Sequence, residues 1–348
     1  MIAARVGHVR ILVTGAAGFI NGYLIPELLA AGHEVVGLDN FSKYGPVARS
    51  YDTHPAYRFV EGDSKDIALL RELATGCDQV VAAAAMIGGI SYFHEFAYDL
   101  LAENERILAA TFDAAIDAFR AGTLRRIVVM SSSMVYESST RFPTPEGAQL
   151  TSPPPASTYG FQKLAAEYFA RGAWEQYRLP FSIVRPFNCV GIGERRALRD
   201  AEIMSGNVKL ALSHVVPDLA LKALKGQDPL HILGDGSQVR HYTYGGDLAR
   251  GIRLVMESPA AVNEDFNLST ATSTTVHELA ELVWRAVHGA DRPLAVASDP
   301  PFEHDVQYRV PDVGKARDVL GFQATTSLET MLAEVVPWIR AEIDAGRL

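Results

Sequence analysis

Cysteine is nearly absent: the 348-residue chain has two, Cys77 and Cys189, both in apolar surroundings. Two thiols exclude a disulfide framework and a cysteine-based zinc cluster, and they suit a reducing compartment. Positive charge is also short. Thirty-two Lys and Arg face 41 Asp and Glu, for a net charge of -9, which argues against a nucleic-acid binder while leaving room for a local basic cleft around a small diphosphate. No apolar run approaches the length of a membrane span, and "MIAARVGHVR" is too short and too broken by charge for a signal peptide. Internal repeats and low-complexity segments are missing too. With 48% hydrophobic and 21% charged residues the chain can bury a large core, so the expectation is a soluble, cytoplasmic protein with one or two closely joined domains and a small-molecule partner.

Strand-like and helix-like segments alternate through the first half: "RILVTG", a helix closing at Gly32, "EVVGLDN", "YRFVEGD", "IALLRELA", "QVVAAAA", a long helix near residues 96–121 and "RIVVMSSS". Repeated strand–helix units are the signature of an α/β, doubly wound parallel sheet. After the proline-rich "TPEGAQLTSPPPAS", "TYGFQKLAAEYFARGAWEQY" reads as a helix and "FSIVRPFNCVG" as a strand with its exit. From about Asn188 the pattern is mixed. "LALKALKG", "LHILGDG" and "VHELAELVWRAV" predict a smaller C-terminal lobe interleaved with the last pieces of the sheet.

"VTGAAGFINGYL" lies between the first strand and the first helix, where a glycine loop cradles the pyrophosphate of a dinucleotide. Gly15 permits the tight turn, Gly18 lets the main chain approach the phosphates, and Phe19 and Ile20 are expected to contact the cofactor with them. The third glycine of such loops lets helix pack on strand. Asn21 stands there instead, and the adjacent Gly22 is expected to relieve the crowding. Asp39 closes the second strand about 20 residues on, where a carboxylate accepts the ribose hydroxyls and repels a 2′-phosphate, favouring NAD over NADP; a strand-closing Asp is also an ordinary turn residue, and the glycine loop decides between the two. Asn40, Asp63, Ser64, Ala84 and Ala85 follow at successive carboxyl ends of strands, where open parallel sheets bind ligands.

Tyr159 and Lys163 are one helical turn apart and share a helix face. A free phenol, with a pKa near 10, is a poor base at neutral pH, and a lysine ammonium beside it favours the phenolate. A serine of "VVMSSSMVYE" then shares the hydrogen bond of a substrate hydroxyl. Alone, a Tyr-x-x-x-Lys pair is usually surface; after a serine-rich strand end it points to proton transfer at a carbinol.

These segments resemble the extended short-chain dehydrogenase/reductase family, specifically its NAD-dependent nucleotide-sugar epimerases and dehydratases. The resemblance covers nearly the whole chain, through "TGAAGFI", Asp39, Asp63, Asn104 after "AAMIGG", the serine stretch, Tyr159 with Lys163, "RPFNCVG", "RHYTYGGDLARGI" and "VPDVGKARDVLGF". It implies a Rossmann domain over residues 1–187 and about 239–269, with a nucleotide-sugar-binding lobe over about 188–238 and 270–348. The catalytic hydroxyl falls on Ser132, Asn104 joins the cofactor residues, and Ser133, Asn188, His214, Arg240 and Arg309 face the nucleotide-diphosphate sugar. NAD is the implied cofactor, with no metal. Two departures are Asn21 and Phe302, the latter close to where 4-epimerases often carry a second diphosphate-binding arginine. The long helix and the Tyr159 helix correspond to the pair that forms a four-helix homodimer interface in this family.

The residues after Ser132 bear on the reaction. The 4,6-dehydratases have Asp-Glu there, and UDP-glucuronate decarboxylases a Glu just before Val-Tyr. Ser133 and Met134 supply neither acid. Inversion at carbon 4 needs none, so a 4-epimerase is expected. "AAMIGGI" and "SHVVPDL" also look like GDP-fucose synthase, an epimerase-reductase acting at carbons 3 and 5. His214 matches its catalytic histidine, but the partner cysteine falls at Met134, which moves no proton. His214 is then a substrate hydrogen-bonder or a satisfied histidine at a helix start, and Cys189 a packing residue. A dehydratase or decarboxylase of the same family, or a non-catalytic NAD-binding regulator, are the alternatives; a regulator usually loses the tyrosine or lysine retained here.

Overall fold

The structure is a computed structural model describing residues 7–88, 96–194, 203–210, 214–300 and 306–348. Its first half alternates as the sequence pattern predicts: β1 (Arg10–Thr14), α1 (Asn21–Ala30), β2 (Glu34–Asp39), β3 (Tyr57–Glu61), α2 (Ile67–Ala74), β4 (Gln79–Ala82), α3 (Ala97–Arg120), β5 (Arg126–Met130), α4 (Thr158–Tyr177) and β6 (Phe181–Pro186). The second half has shorter pieces: β7 (Cys189–Val190), β8 (Ile203–Ser205), β9 (Val208–Leu210), α5 (Val215–Leu224), β10 (Leu230–Leu233), β11 (Val239–Arg240) and β12 (Thr243–Tyr244). They are followed by α6 (Gly245–Glu257), β13 (Glu264–Leu268), β14 (Thr274–Thr275), α7 (Val276–His288), β15 (Val296–Asp299), α8 (Gly314–Leu320) and α9 (Leu328–Asp344).

One parallel sheet of seven strands runs in the order β13-β6-β5-β4-β1-β2-β3. The α/β doubly wound expectation holds. Strand alternation assigns the helices to faces: Ile11 and Val13 pack with Leu24, Ile25 and Leu28 of α1 and Leu248, Ile252 and Val255 of α6. Leu12, Val80, Ile127 and Val129 pack on the other side with Leu70, Phe112, Ala115, Ala166 and Ala170 of α2, α3 and α4. A one-residue slip of any strand would exchange these sets, each fully buried Leu or Ile being worth about 1.5–3 kcal/mol, so the register is strongly specified.

Side chains also stop and start the helices. Asp66 accepts hydrogen bonds from the Ala68 and Leu69 N–H groups to cap α2, and Ser157 accepts one from Gly160 to cap α4, satisfying donors that no earlier turn can reach.

A second core joins Val216 and Leu219 of α5, Ile232 of β10, Leu279 and Val283 of α7, and Leu332 and Val335 of α9. The lobe is interleaved, because β13 returns to the sheet edge beside β6 after β7–β12 have been laid down. Ala316 and Phe322, placed with the lobe by the sequence division, are buried in the sheet-side core instead. No helix among the described residues is long and apolar enough to cross a membrane.

Candidate active site

The strand order reverses between β1 and β4, and a crevice opens beyond their carboxyl ends. It continues into a cavity of about 830 Å³ that reaches from the glycine loop to the lobe. Eighteen of the residues expected from sequence line this one cavity: Gly15, Gly18, Phe19, Ile20, Asp39, Asn40, Asp63, Ser64, Ala84 and Ala85 at one end; Ser132, Ser133, Tyr159 and Lys163 with them; and Asn188, His214, Arg240 and Arg309. Asn104 is the exception. Its Oδ1 accepts from the Met86 N–H at 2.7 Å and its Nδ2 donates to the Met86 carbonyl at 2.9 Å, so it props the cavity wall from behind. Phe302 and the end of the "AAMIGGI" stretch lie outside the described residues.

At the glycine loop the backbone leaves no room for a side chain. Gly15 has φ +74°, and a Cβ there would stand 2.9 Å from the Ala84 Cα, so only glycine fits both the conformation and the contact. The small residues after β4 thus set the loop's height over the strand ends. Asp39 accepts from the Phe41 N–H at 2.7 Å and the Ala17 N–H at 3.0 Å. Burial raises its pKa, against the pull of these N–H groups. A backbone cradle with a carboxylate at the end of β2 suits an adenine dinucleotide with an unphosphorylated ribose.

Asn21 differs from the packing concession expected of it. It is buried, and its Nδ2 donates to the Gly15 carbonyl at 2.8 Å and the Thr14 carbonyl at 3.2 Å. Gly22 makes space for another group: a Cβ there would meet the Arg49 Nη1 at 2.9 Å.

The three serines after β5 have separate tasks. Ser131 donates to Glu167 at 2.6 Å, Ser132 hydrogen-bonds the Tyr159 phenol, and Ser133 begins the short turn Ser133–Tyr136. Only Ser132 is so placed because it caps that turn, accepting from the Met134 N–H at 3.2 Å. The turn is tied to α4: Glu137 Oε2 accepts from both the N–H and the hydroxyl of Ser157 at 2.9 Å. A Cβ on Gly160 would lie 2.8 Å from the Met134 carbonyl oxygen. The tyrosine helix therefore sits directly against the serine turn.

The electrostatics differ from the expectation of a lysine acting directly on the phenol. Burial raises the Tyr159 pKa, and the groups that pull it down are the Ser132 hydrogen bond and the charge of Arg309. Lys163 Nζ is 6.0 Å from the centre of the Tyr159 ring and donates to the Met130 carbonyl at 3.0 Å. Burial lowers the lysine pKa to about 8. The charge of Arg309, a residue expected to face the nucleotide-diphosphate sugar, thus reaches the phenol.

Behind the serines is an ion network that sequence reasoning missed. Arg185, fully buried, donates to Glu167 at 2.7 and 2.8 Å, to Asp265 at 2.6 Å and to the Tyr136 hydroxyl at 2.8 Å. Glu167, eight residues after Tyr159 on the same helical face, was the available signal.

In the lobe, His214 Nδ1 is 2.5 Å from Oε1 of Glu194, a carboxylate only 1% exposed. Asp218 and Lys222, one turn apart in the otherwise apolar α5, pair at 3.0 Å on the cavity wall. Burial raises the Asp218 pKa to about 6, with Lys222 opposing. Cys189 lies in the same wall, and burial pushes its thiol pKa up, which disfavours the thiolate.

The sequence profile of the NAD dependent epimerase/dehydratase family matches residues 11–269. The chain is 29% identical over 346 residues to a UDP-glucose 4-epimerase of Mycolicibacterium smegmatis, covering 95% of this chain and 98% of that one. Among solved structures it is similar to a UDP-glucose 4-epimerase of Thermotoga maritima with UDP-glucose, at a TM-score of 0.78 and 27% identity over 96% of this chain and 99% of that one. A dTDP-glucose 4,6-dehydratase of Streptomyces venezuelae with NAD and TYD bound matches at a TM-score of 0.80 and 26% identity, over 97% and 98% of the two chains.

Proposed function

The chain belongs to the NAD dependent epimerase/dehydratase family, and within it we propose a nucleotide-sugar 4-epimerase, which inverts carbon 4 of a nucleotide-diphosphate sugar through a transient 4-keto sugar. The observation that carries this reading is the Ser132–Tyr159 hydrogen bond, followed on the same turn by Ser133 and Met134 in the cavity wall. A hydroxyl and a thioether are no acids at neutral pH, so elimination or decarboxylation lacks a proton carrier there.

NAD, when bound, supplies hydride removal and return at the sugar carbon. Tyr159 takes the carbon 4 hydroxyl proton during oxidation and gives it back on reduction, and Ser132 holds that oxygen in both states. Ser132 and, less, Arg309 oppose part of the effect of burial on the phenol, and Lys163 fixes the end of β5 through the Met130 carbonyl. Asn188 and Arg240 face the diphosphate, and Asp39 selects the ribose of NAD. We also infer a homodimer through α3 and α4, and a cytoplasmic location from the scarcity of thiols.

One observation favours a second reading. The buried Glu194 carboxylate on Nδ1 orients His214, which lines the cavity, and a histidine so held suits inversion at carbon 3 or 5 beside a 4-keto group, as in an epimerase-reductase. The test is incubation with UDP-, dTDP- and GDP-hexoses and UDP-glucuronate, with products read by NMR. A carbon 4 epimer without net NADH is expected. A 4-keto-6-deoxy sugar or a pentose product would overturn the proposal.

A further inference from the structure

The first helical turn of this chain carries an asparagine where a glycine loop of this type has its third glycine, and that side chain does more than fill space. Two carbonyls, Thr14 and Gly15, lie within 3.2 and 2.8 Å of its Nδ2. Two acceptors at one end of the carboxamide fix which end is the NH₂. Among the described residues Asn21 Oδ1 is left as a buried acceptor with no partner, so the fold tolerates one unmatched polar atom to keep two donated bonds.

The other half of the loop is held from outside by Arg49, in the segment after β2. Its Nη2 donates to the Ala17 carbonyl at 3.1 Å and reaches the Gly18 carbonyl at 3.5 Å, and the absence of a side chain at Gly22 admits the guanidinium. The charge of Arg49 also reaches Asp39, whose pKa it pulls down. Four loop carbonyls, from Thr14, Gly15, Ala17 and Gly18, are therefore engaged by two side chains.

A trans peptide points its carbonyl and its N–H in opposite directions. The Gly18 carbonyl, which accepts from the Gly22 N–H at 3.0 Å and lies 3.5 Å from the Arg49 Nη2, sends the Phe19 N–H the other way. The N–H groups of Phe19 and Ile20 have no intramolecular hydrogen bond among the described residues, and both residues line the cavity. The N–H groups on the far side of the other three held carbonyls, those of Gly15, Ala16 and Gly18, already donate to the Leu38 and Gly15 carbonyls, so Asn21 and Arg49 act there by fixing the path of the loop.

We propose that Asn21 and Arg49 form a clamp on the carbonyl side of the glycine loop, fixing its path so that the free N–H groups of Phe19 and Ile20 stay aimed at the pyrophosphate of the dinucleotide. They are positioning residues, acting through the loop backbone. The inference rests on the family's NAD dependence and not on the reaction at carbon 4.

The test compares the full-length chain with Asn21→Gly, Asn21→Leu and Arg49→Met by calorimetry, using NAD⁺, ADP-ribose, which keeps the pyrophosphate, and adenosine, which lacks it. Each variant should weaken NAD⁺ and ADP-ribose by about tenfold or more while adenosine stays within about twofold, because only pre-organisation around the phosphates is lost. Arg49→Lys should recover part of the loss. Unchanged NAD⁺ affinity in Asn21→Gly would overturn the proposal, and so would equal weakening of all three ligands, which would reveal a merely structural residue. Asn21→Gly guards against misfolding in the bulkier Asn21→Leu variant.

Discussion

Lys163 Nζ donates to the Met130 carbonyl oxygen at 3.0 Å, at the carboxyl end of β5, where burial lowers its pKa from 10.5 to about 8. Below pH 8 the ammonium is charged in both the folded and the unfolded chain, and the fold bears the cost of burying it. Between pH 8 and 10.5 the unfolded chain binds the extra proton, so stability rises with pH through that window. Lys163→Met should therefore be more stable than wild type at pH 7, by roughly 2 kcal/mol, since each tenfold loss of proton affinity on folding costs about 1.4 kcal/mol and the lost hydrogen bond returns part of the gain. The advantage should shrink from pH 8 to 10.5 in urea melts at each pH. A constant difference across that range would refute the coupling.

Tyr159→Phe removes the proton carrier but keeps the ring. Turnover should fall by about 10²–10⁴, with NAD⁺ affinity little changed by calorimetry. Retained turnover would move the general base elsewhere.

His214 and Glu194 separate the two reaction readings. Under plain 4-epimerisation, turnover in heavy water leaves carbons 3 and 5 free of deuterium, and His214→Asn mainly raises KM. Deuterium at either carbon in the NMR spectrum of the product, abolished by His214→Asn, would favour the second reading.

Glu167 holds Arg185 on two oxygens and takes the Ser131 hydroxyl as well. Removing one partner of a buried pair strands a charge, so Glu167→Gln should cost about 3 kcal/mol in chemical denaturation. A loss within ordinary surface effects of about 0.5 kcal/mol would show that the remaining bond to Asp265 suffices.

Phe161 and Tyr168 are exposed on α4, seven residues apart on one face, and Tyr98 on α3 is 77% exposed. In a homodimer through these helices, wild type should scatter light as a dimer at micromolar concentration, and Tyr168→Glu should shift it toward monomer. A monomeric wild type would refute the interface.

The sequence by itself determined the parallel sheet, because a strand ending in Gly15 and a helix beginning near Asn21 are local consequences of conformational freedom and hydrophobic period. It also grouped the residues at one end of the cavity, since loop, carboxylate and small residues follow strand ends in order along the chain. Tyr159 was legible from its spacing to Lys163 after a serine-rich strand end, and Ser132 among the serines only through resemblance; their contact depends on the serine turn packing on α4 through Glu137 and Gly160, residues with no local signature. Tertiary structure alone decided that Asn104 faces Met86, that the Ser132 hydrogen bond and the Arg309 charge pull against burial at the phenol, and that Glu194 holds His214. The physical reason is separation along the chain. Glycine freedom and helix caps act over a few residues, whereas the partner of a buried charge is whichever group the fold brings within hydrogen-bond reach, as Arg185 and Asp265 illustrate across 80 residues.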